Sequence, residues 1–144
     1  MDFTNFGVIS YTAKAKISPF VDFLFHGKFM TTRCTRCHKL FFPPQADCPY
    51  CLSREMEWVE IKDEGVLLSY STAMYGPAGF ENKVPYTLGI VQFKDNIKVL
   101  ASIAKEIDVK TLKVGMLLKV KPVKLSEQRF SYEFILPEDI EGKT

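Results

Sequence analysis

Four cysteines are the residues of this chain whose type and spacing could do chemistry. They form two CxxC pairs, Cys34-Thr-Arg-Cys37 and Cys48-Pro-Tyr-Cys51, with ten residues between the pairs. Two residues between cysteines let both sulfur atoms of one turn face the same cation, and a second such turn completes a tetrahedral set of thiolates. The spacing therefore predicts a metal site made of Cys34, Cys37, Cys48 and Cys51, as in a zinc ribbon.

The predicted metal site is structural, because four protein thiolates leave no open position for water or substrate. Zinc is favoured, but iron accepts the same four ligands, so the spacing leaves both metals open. Free or redox-active dithiols are the alternative, although a thioredoxin-like CxxC motif belongs in a βαβ context that this segment lacks. His38 follows Cys37 directly and is expected on the surface of the turn, not among the ligands.

A short helix is predicted ahead of the cysteines. Ser18 can cap free amide groups and Pro19 suits the first helical position, while Gly27 is a plausible stop. The apolar residues between them recur at helical spacing: Phe20, Phe23 and Leu24. An earlier helical turn at 11–16 would extend this segment to a helical hairpin.

Strand signals separated by turn residues follow the cysteines. The predicted strands are 56–61, 65–75, 85–93, 97–103, 116–125 and 130–134, with a loop at 76–83, a hairpin turn at 94–96 and a helical turn at 108–112. Five strands after residue 62, with a helical element between the third and the fourth, are typical of an OB-fold barrel. An open sandwich of the same strands is the alternative. The predicted division is a helical segment at 1–28, a zinc ribbon at 29–62 and an OB-fold domain at 63–144.

The charge balance argues against a dedicated nucleic-acid binder. The 144 residues carry 19 basic and 17 acidic side chains, a formal net charge of +2. Four thiolates and one Zn²⁺ together contribute two negative charges, so the metal-loaded chain would be neutral and would not attract polyanions in general. The first ten residues lack the features of a secretory signal, and no apolar stretch reaches about 18 residues. We therefore expect a soluble cytoplasmic protein without a membrane span.

Catalysis by the chain itself is not expected. The sequence has two histidines, His26 and His38, and neither stands beside a nucleophile motif. The adjacent acidic pairs Asp63-Glu64 and Glu138-Asp139 are more typical of solvated turns than of an acid/base pair, and a Gly-rich phosphate loop is missing. The predicted protein is not an enzyme.

The motifs occur in an order that resembles a known family. The Phe-rich helix is followed by Arg33-Cys34-Thr35-Arg36-Cys37, Phe41-Phe42-Pro43-Pro44, Asp47-Cys48-Pro49-Tyr50-Cys51, Pro85-Tyr86-Thr87-Leu88 and Leu112-Lys113-Val114-Gly115-Met116. From about residue 18 to 137 this is similar to the archaeal and bacterial family called domain of unknown function 35. Relatives often carry glycine where this chain has His38 and arginine where it has Gln45.

The resemblance implies a rubredoxin-like zinc ribbon joined to an OB fold, in a non-catalytic accessory protein. Members of that family accompany thiolase-superfamily enzymes, including acetoacetyl-CoA thiolase and hydroxymethylglutaryl-CoA synthase, as scaffolds beside the acyl-CoA path. Acyl-CoA needs cations for its phosphates and an apolar surface for its other parts. The candidate contacts to acyl-CoA or to a partner are Phe80, Lys83 and Tyr86 on the barrel side and Phe41, Phe42 and Pro44 on the ribbon side. For Phe41 and Phe42, packing between ribbon and barrel is an equal alternative.

Binding of single-stranded nucleic acid is the second hypothesis, because OB folds and zinc ribbons both serve it. Five lysines lie between Lys110 and Lys124, and Phe130 and Tyr132 could stack on bases. The period-2 alternation instead favours lysines on a solvated strand face, with Phe130, Tyr132 and Phe134 inside the barrel.

Overall fold

The computed structural model describes residues 5–7, 16–76 and 85–137 and is mainly β, as predicted. One helix, α1 (Pro19–Phe25), precedes a three-stranded sheet and a five-stranded closed barrel. The strands of the small sheet are β1 (Met30–Cys34), β2 (Leu40–Phe41) and β3 (Met56–Glu60). Those of the barrel are β4 (Gly65–Ala73), β5 (Tyr86–Gln92), β6 (Lys98–Ile103), β7 (Leu117–Ser126) and β8 (Arg129–Ile135).

Helix α1 begins at the proline, as the sequence predicts. Ser18 has helical backbone angles and its side chain makes no capping hydrogen bond, so the predicted serine cap is wrong. The fixed φ of Pro19 is enough to start the helix there. Gly27, with φ of +79°, closes the helix by donating its N–H to the Leu24 carbonyl at 3.0 Å. The predicted turn at 11–16 lies almost wholly outside the described residues. Among the described helices, none is long and apolar enough to cross a membrane.

The three-stranded sheet holds the cysteine segment. β1 is its central strand and pairs antiparallel with β2 and with β3, so that Thr32 lies between Phe41 and Trp58. The buried Thr32 hydroxyl accepts the N–H of Gln45 at 2.7 Å, which fixes the loop after β2. Because β1 ends at Cys34, this sheet sets the position of the first cysteine turn.

The barrel has the strand order β4-β5-β6-β8-β7 and closes through β4 and β7, which confirms the OB-type prediction. β6 and β8 are parallel where Ser102 faces Glu133. The predicted helical element between the third and fourth barrel strands is a single 3-10 turn, Val109–Thr111, capped by the Asp108 carboxylate, which accepts the Lys110 N–H. The predicted hairpin turn is a 3-10 turn at Lys94–Asn96.

An aromatic cluster connects the helix, the sheet and the barrel. Tyr132 of β8 is 4.9 Å from Phe29, 5.9 Å from Phe42 and 6.0 Å from Phe20, measured between ring centroids. Phe6 completes the cluster at 6.1 Å from Tyr132. The aromatic cluster, defined by these five residues, places Phe42 in the packing between ribbon and barrel, which was one of its two predicted roles.

Candidate metal centre

The first cysteine turn, or first knuckle, is held by the backbone of residues 34–39. The Cys37 N–H donates to Cys34 Sγ at 3.4 Å, and the His38 N–H donates to the Cys34 carbonyl at 2.9 Å. The Cys34 N–H in turn donates to the Lys39 carbonyl at 3.0 Å. To close this turn, His38 takes a left-handed conformation with φ of +64°. The imidazole of His38 is exposed.

The second knuckle repeats the first at residues 48–53. The Cys51 N–H donates to Cys48 Sγ at 3.4 Å, and the Leu52 N–H donates to the Cys48 carbonyl at 2.9 Å. The Cys48 N–H donates to the Ser53 carbonyl at 2.8 Å, and Leu52 has φ of +62°. The same local spacing therefore gives the same backbone twice.

The two knuckles bring the four sulfur atoms together. All four Sγ atoms lie within 4.8 Å of one another, with Cys34 and Cys51 3.4 Å apart and Cys37 and Cys48 3.5 Å apart. A tetrahedral ion with metal–sulfur bonds of about 2.3 Å would separate its sulfur ligands by about 3.8 Å. The donor set and its spacing fit a four-thiolate metal ion.

Backbone N–H groups favour thiolates in this cluster. The Cys37 N–H, pointing at the sulfur, lowers the pKa of Cys34 to about 6 against the opposing effect of burial. For Cys51 the Ser53 N–H lowers the pKa, but the neighbouring thiol of Cys34, with burial and the other thiols, outweighs it and raises the pKa to about 11. The crowded sulfurs thus compete for negative charge, which a divalent cation would relieve.

The cluster is covered on one side and open on the other. Cys34 and Cys48 are buried, Cys37 is half-buried and Cys51 is exposed. Each buried cysteine is the first of its knuckle, and it is also the one whose sulfur accepts the N–H bond. The exposed side of the cluster therefore lies at Cys51.

A cleft of about 610 Å³ opens between the ribbon and the barrel. Its ribbon wall includes Lys39, Phe41 and Tyr50, and its barrel wall is the turn at 95–98 that ends with Lys98. The Lys39 Nζ lies 3.9 Å above the Tyr50 ring, and the Phe41 ring stacks on Tyr50 at 5.9 Å. Of the predicted acyl-CoA contacts, Phe41 and Phe42 are the ones that line this cleft within the described part of the chain.

Two of the other predicted contacts, Pro44 and Tyr86, are described by the structure and do not line the cleft. Pro44 is buried and Tyr86 is half-buried at the start of β5. Phe80 and Lys83, with most of the predicted 76–83 loop, lie outside the described residues. Gln45, which stands where relatives often have arginine, donates its side-chain amide to the Pro43 carbonyl at 3.2 Å. The structure does not bring Pro44 and Tyr86 into the cleft, and their roles stay predictions.

The aromatic residues considered for base stacking are inside the protein. Phe130 and Phe134 are buried, and Tyr132 is partly buried in the aromatic cluster. On β7, Leu118 and Val120 are buried, as the alternation predicts. A stacking surface for bases is therefore not formed by these aromatic residues.

Sequence reasoning missed the cleft and did not single out Tyr50, the exposed aromatic residue in its wall. The turn at 95–98 is more than 40 residues from Tyr50 in the chain, and no local pattern brings them together. The left-handed conformation of His38 and Leu52 was also missed, although their shared position directly after the second cysteine of each knuckle was a usable signal.

Comparison with family models covers both parts of the chain. The model described as the rubredoxin-like zinc ribbon domain of ChsH2 matches residues 26–57. The model described as the C-terminal OB-fold domain of ChsH2 matches residues 58–122. The two matches meet at Glu57 and Trp58, inside β3, so the OB-fold match begins within a strand that pairs in the three-stranded sheet.

Individual relatives extend this similarity. A DUF35 domain-containing scaffold protein of Pyrococcus furiosus is 30% identical over 95 residues, which is 66% of this chain and 68% of the relative. The benzoylsuccinyl-CoA thiolase subunit BbsA of Thauera aromatica is 35% identical over 71 residues, 49% of this chain and 48% of that protein. The chain thus spans about half the length of the Thauera relative.

One solved structure shares the fold. The structure titled Ltp2-ChsH2(DUF35) aldolase superposes with a TM-score of 0.69 at 21% identity, covering 78% of this chain and 87% of the other. At this identity the similarity supports the ribbon–barrel architecture alone.

Proposed function

The chain belongs to the DUF35 family, which combines a zinc ribbon with an OB fold, and from this premise we propose that it is a non-catalytic accessory protein that scaffolds a thiolase-superfamily enzyme complex. The observation that carries the proposal is the match to a relative named as a scaffold protein, which covers 66% of this chain and 68% of the relative. The Thauera relative, named as a thiolase subunit, supports a partner of thiolase type. Acetoacetyl-CoA thiolase and hydroxymethylglutaryl-CoA synthase types are the proposed partners.

The chemistry of the described residues supports an accessory role. A four-thiolate site has no open coordination position, so a metal there would hold the ribbon together and would not activate water. The His26 ring nitrogen Nδ1 lies 2.8 Å from the Asp22 carbonyl oxygen at the end of α1, and the exposed His38 lines the cleft. Neither imidazole is paired with a nucleophile, which is why catalysis is assigned to the partner.

The proposed resident metal is structural Zn²⁺, held by Cys34, Cys37, Cys48 and Cys51. The family-model match to a zinc ribbon and the close approach of the four sulfurs support this choice. When bound, the ion supplies charge neutralisation for the thiolates and fixes the two knuckles against each other. Iron would use the same ligands, and metal analysis with visible absorption distinguishes the two.

An acyl-CoA contact in the cleft belongs to the same proposal. Lys39 and Lys98 place ammonium groups on opposite walls, where they would meet phosphates, and Phe41 offers an apolar face. Asp95 contributes one opposing charge, so the attraction rests on a small number of placed cations and not on a general field. Binding of CoA by the isolated chain would accordingly be weak and would strengthen beside the partner.

Co-purification tests the proposal. The tagged chain is recovered from its native host, and the retained proteins and nucleic acids are identified by mass spectrometry and sequencing, with an unrelated tagged protein as the control. We expect a thiolase-superfamily enzyme in constant ratio to the chain. Recovery of RNA or ribosomal proteins without a CoA enzyme would overturn the scaffold proposal and favour single-stranded nucleic-acid binding.

A further inference from the structure

Leu52 is exposed in an unfavourable backbone conformation. Its side chain is 80% exposed, although its φ of +62° is one that branched side chains seldom adopt. Among the exposed large hydrophobic residues that the structure describes, Leu52 alone combines exposure with positive φ. The second knuckle requires this backbone conformation, but no contact among the described residues buries the side chain.

Tyr50, two residues earlier, is exposed and held in place. Its side chain is 69% exposed. The Lys39 ammonium lies 3.9 Å above its ring, and the Phe41 ring stacks beside it with an interplanar angle of 24°. An exposed ring that is already fixed loses little conformational entropy on binding, and tyrosine is enriched among the residues that dominate protein interfaces.

Cations surround this apolar pair. Arg36 and Arg54 are exposed, and neither takes part in an ion pair within the described ranges. Two acidic residues lie nearby: Asp47 faces Lys16 at 3.7 Å, and the exposed Glu55 directly follows Arg54. Two of the four thiols are buried, so negative charge at the sulfurs is partly covered, whereas the guanidinium groups project into solvent.

We propose that the ribbon tip, defined as Arg36, Tyr50, Leu52 and Arg54, is the surface through which the chain docks on its partner enzyme. The partner would present an apolar recess for Tyr50 and Leu52, rimmed by carboxylates that meet the two arginines. This inference rests on the proposed scaffold function and specifies which face performs it. The complementary charge steers association, while the apolar pair supplies most of the affinity.

Leu52→Gly is the sharpest test of the ribbon tip. Glycine adopts φ of +62° without steric cost, so the variant removes the side chain without straining the backbone of the knuckle. His38→Gly is the matched control, since His38 has the equivalent position and φ in the first knuckle. Tyr50→Ala gives an independent second variant.

The experiment measures affinity for the thiolase-type enzyme recovered in the co-purification, using metal-loaded chain immobilised on a biosensor. We expect Leu52→Gly and Tyr50→Ala each to weaken binding at least tenfold, with His38→Gly within twofold of the wild type. Arg36→Glu with Arg54→Glu should slow association, and the slowing should diminish at high salt.

Two other outcomes would overturn the inference. If the enzyme binds the Leu52→Gly and Tyr50→Ala chains as tightly as the wild type, the scaffold function stands but the ribbon tip is not its docking surface. If the wild-type chain recovers no CoA enzyme at all, the scaffold function fails, and the ribbon tip as its docking surface fails with it.

Discussion

The ring of Phe29, at the start of the ribbon, lies 4.9 Å from the ring of Tyr132 in barrel strand β8. Phe29 is buried, and its carbonyl accepts the Ile61 N–H at 2.9 Å, so the residue is fixed from both its backbone and its side chain. Phe20 of α1 packs on both rings, 6.0 Å from each. Because the pair spans ribbon and barrel, we infer that the two parts are energetically coupled.

The first prediction is that Phe29 and Tyr132 are energetically coupled. A double-mutant cycle of Phe29→Leu and Tyr132→Leu should give a coupling energy of about 1 kcal/mol, since aromatic pairs contribute roughly 0.5–1.5 kcal/mol beyond the burial of their area. The measurement is chemical denaturation of the metal-loaded protein. A control cycle of Phe29→Leu with Leu112→Ala, a buried residue outside the aromatic cluster, should be additive. Additivity in both cycles would contradict the coupling.

The second prediction concerns alkaline pH. Burial raises the pKa of Tyr132 to about 12, above its usual value of 10, so the folded state keeps a proton that the unfolded state has lost. The stabilisation is complete below pH 10 and is lost as the pH rises toward 12, by at most roughly 3 kcal/mol. Tyr132→Phe should not show this loss of stability at high pH. The control Tyr75→Phe, at an exposed tyrosine, should keep the wild-type dependence of stability on pH. If the unfolding free energies of the wild type and Tyr132→Phe fall in parallel between pH 10 and 12, the assigned role of Tyr132 is wrong.

The features that the sequence predicted correctly are local ones. The apolar period of 2 in β7 and β8 depends only on neighbouring residues, and so does the helical spacing from Phe20 to Leu24. The two CxxC spacings likewise bring the four sulfurs together because each knuckle closes through its own backbone hydrogen bonds. From these elements, the order of strands and the helical link were sufficient to predict the barrel.

The features that were missed depend on distant residues or on residue types that mislead. Ser18 is a good capping residue by type, yet the helix starts without its hydroxyl because Pro19 fixes the backbone. The cleft has Tyr50 in its ribbon wall and Lys98 in its barrel wall, and these residues are far apart in the sequence. A large apolar residue such as Leu52 is usually expected to be buried. The knuckle instead requires a left-handed backbone at this position and leaves the side chain exposed.

The third prediction concerns His38. A non-glycine residue in the left-handed region costs about 1–2 kcal/mol, so His38→Gly should raise the free energy of unfolding by roughly 1 kcal/mol after the added flexibility of the unfolded chain is counted. Arg36→Gly, in the same knuckle without positive φ, should instead lower it by roughly 0.5–1 kcal/mol. Chemical denaturation with saturating zinc measures both. Destabilisation of similar size in the two variants would contradict the role of φ.

The fourth prediction concerns the metal and its four ligands. The purified chain should hold close to one zinc ion, measured by elemental analysis after gel filtration. Cys34→Ser should abolish stoichiometric binding and lower stability, because Cys34 is buried and both its sulfur and its carbonyl accept knuckle hydrogen bonds. Cys51→Ser should lower stability less than Cys34→Ser does, since Cys51 is exposed and water can approach the position that its sulfur leaves.

Chelation and a non-ligand variant complete the test of the metal centre. Removing the ion should destabilise the whole chain and not only the ribbon, because the aromatic cluster couples Phe29 and Phe42 to Tyr132 in the barrel. His38→Ala should keep full metal content, since His38 is exposed and the group of potential ligands among the described residues consists of the four cysteines. A Cys34→Ser chain that retained one tightly held metal ion and wild-type stability would exclude the four-thiolate assignment.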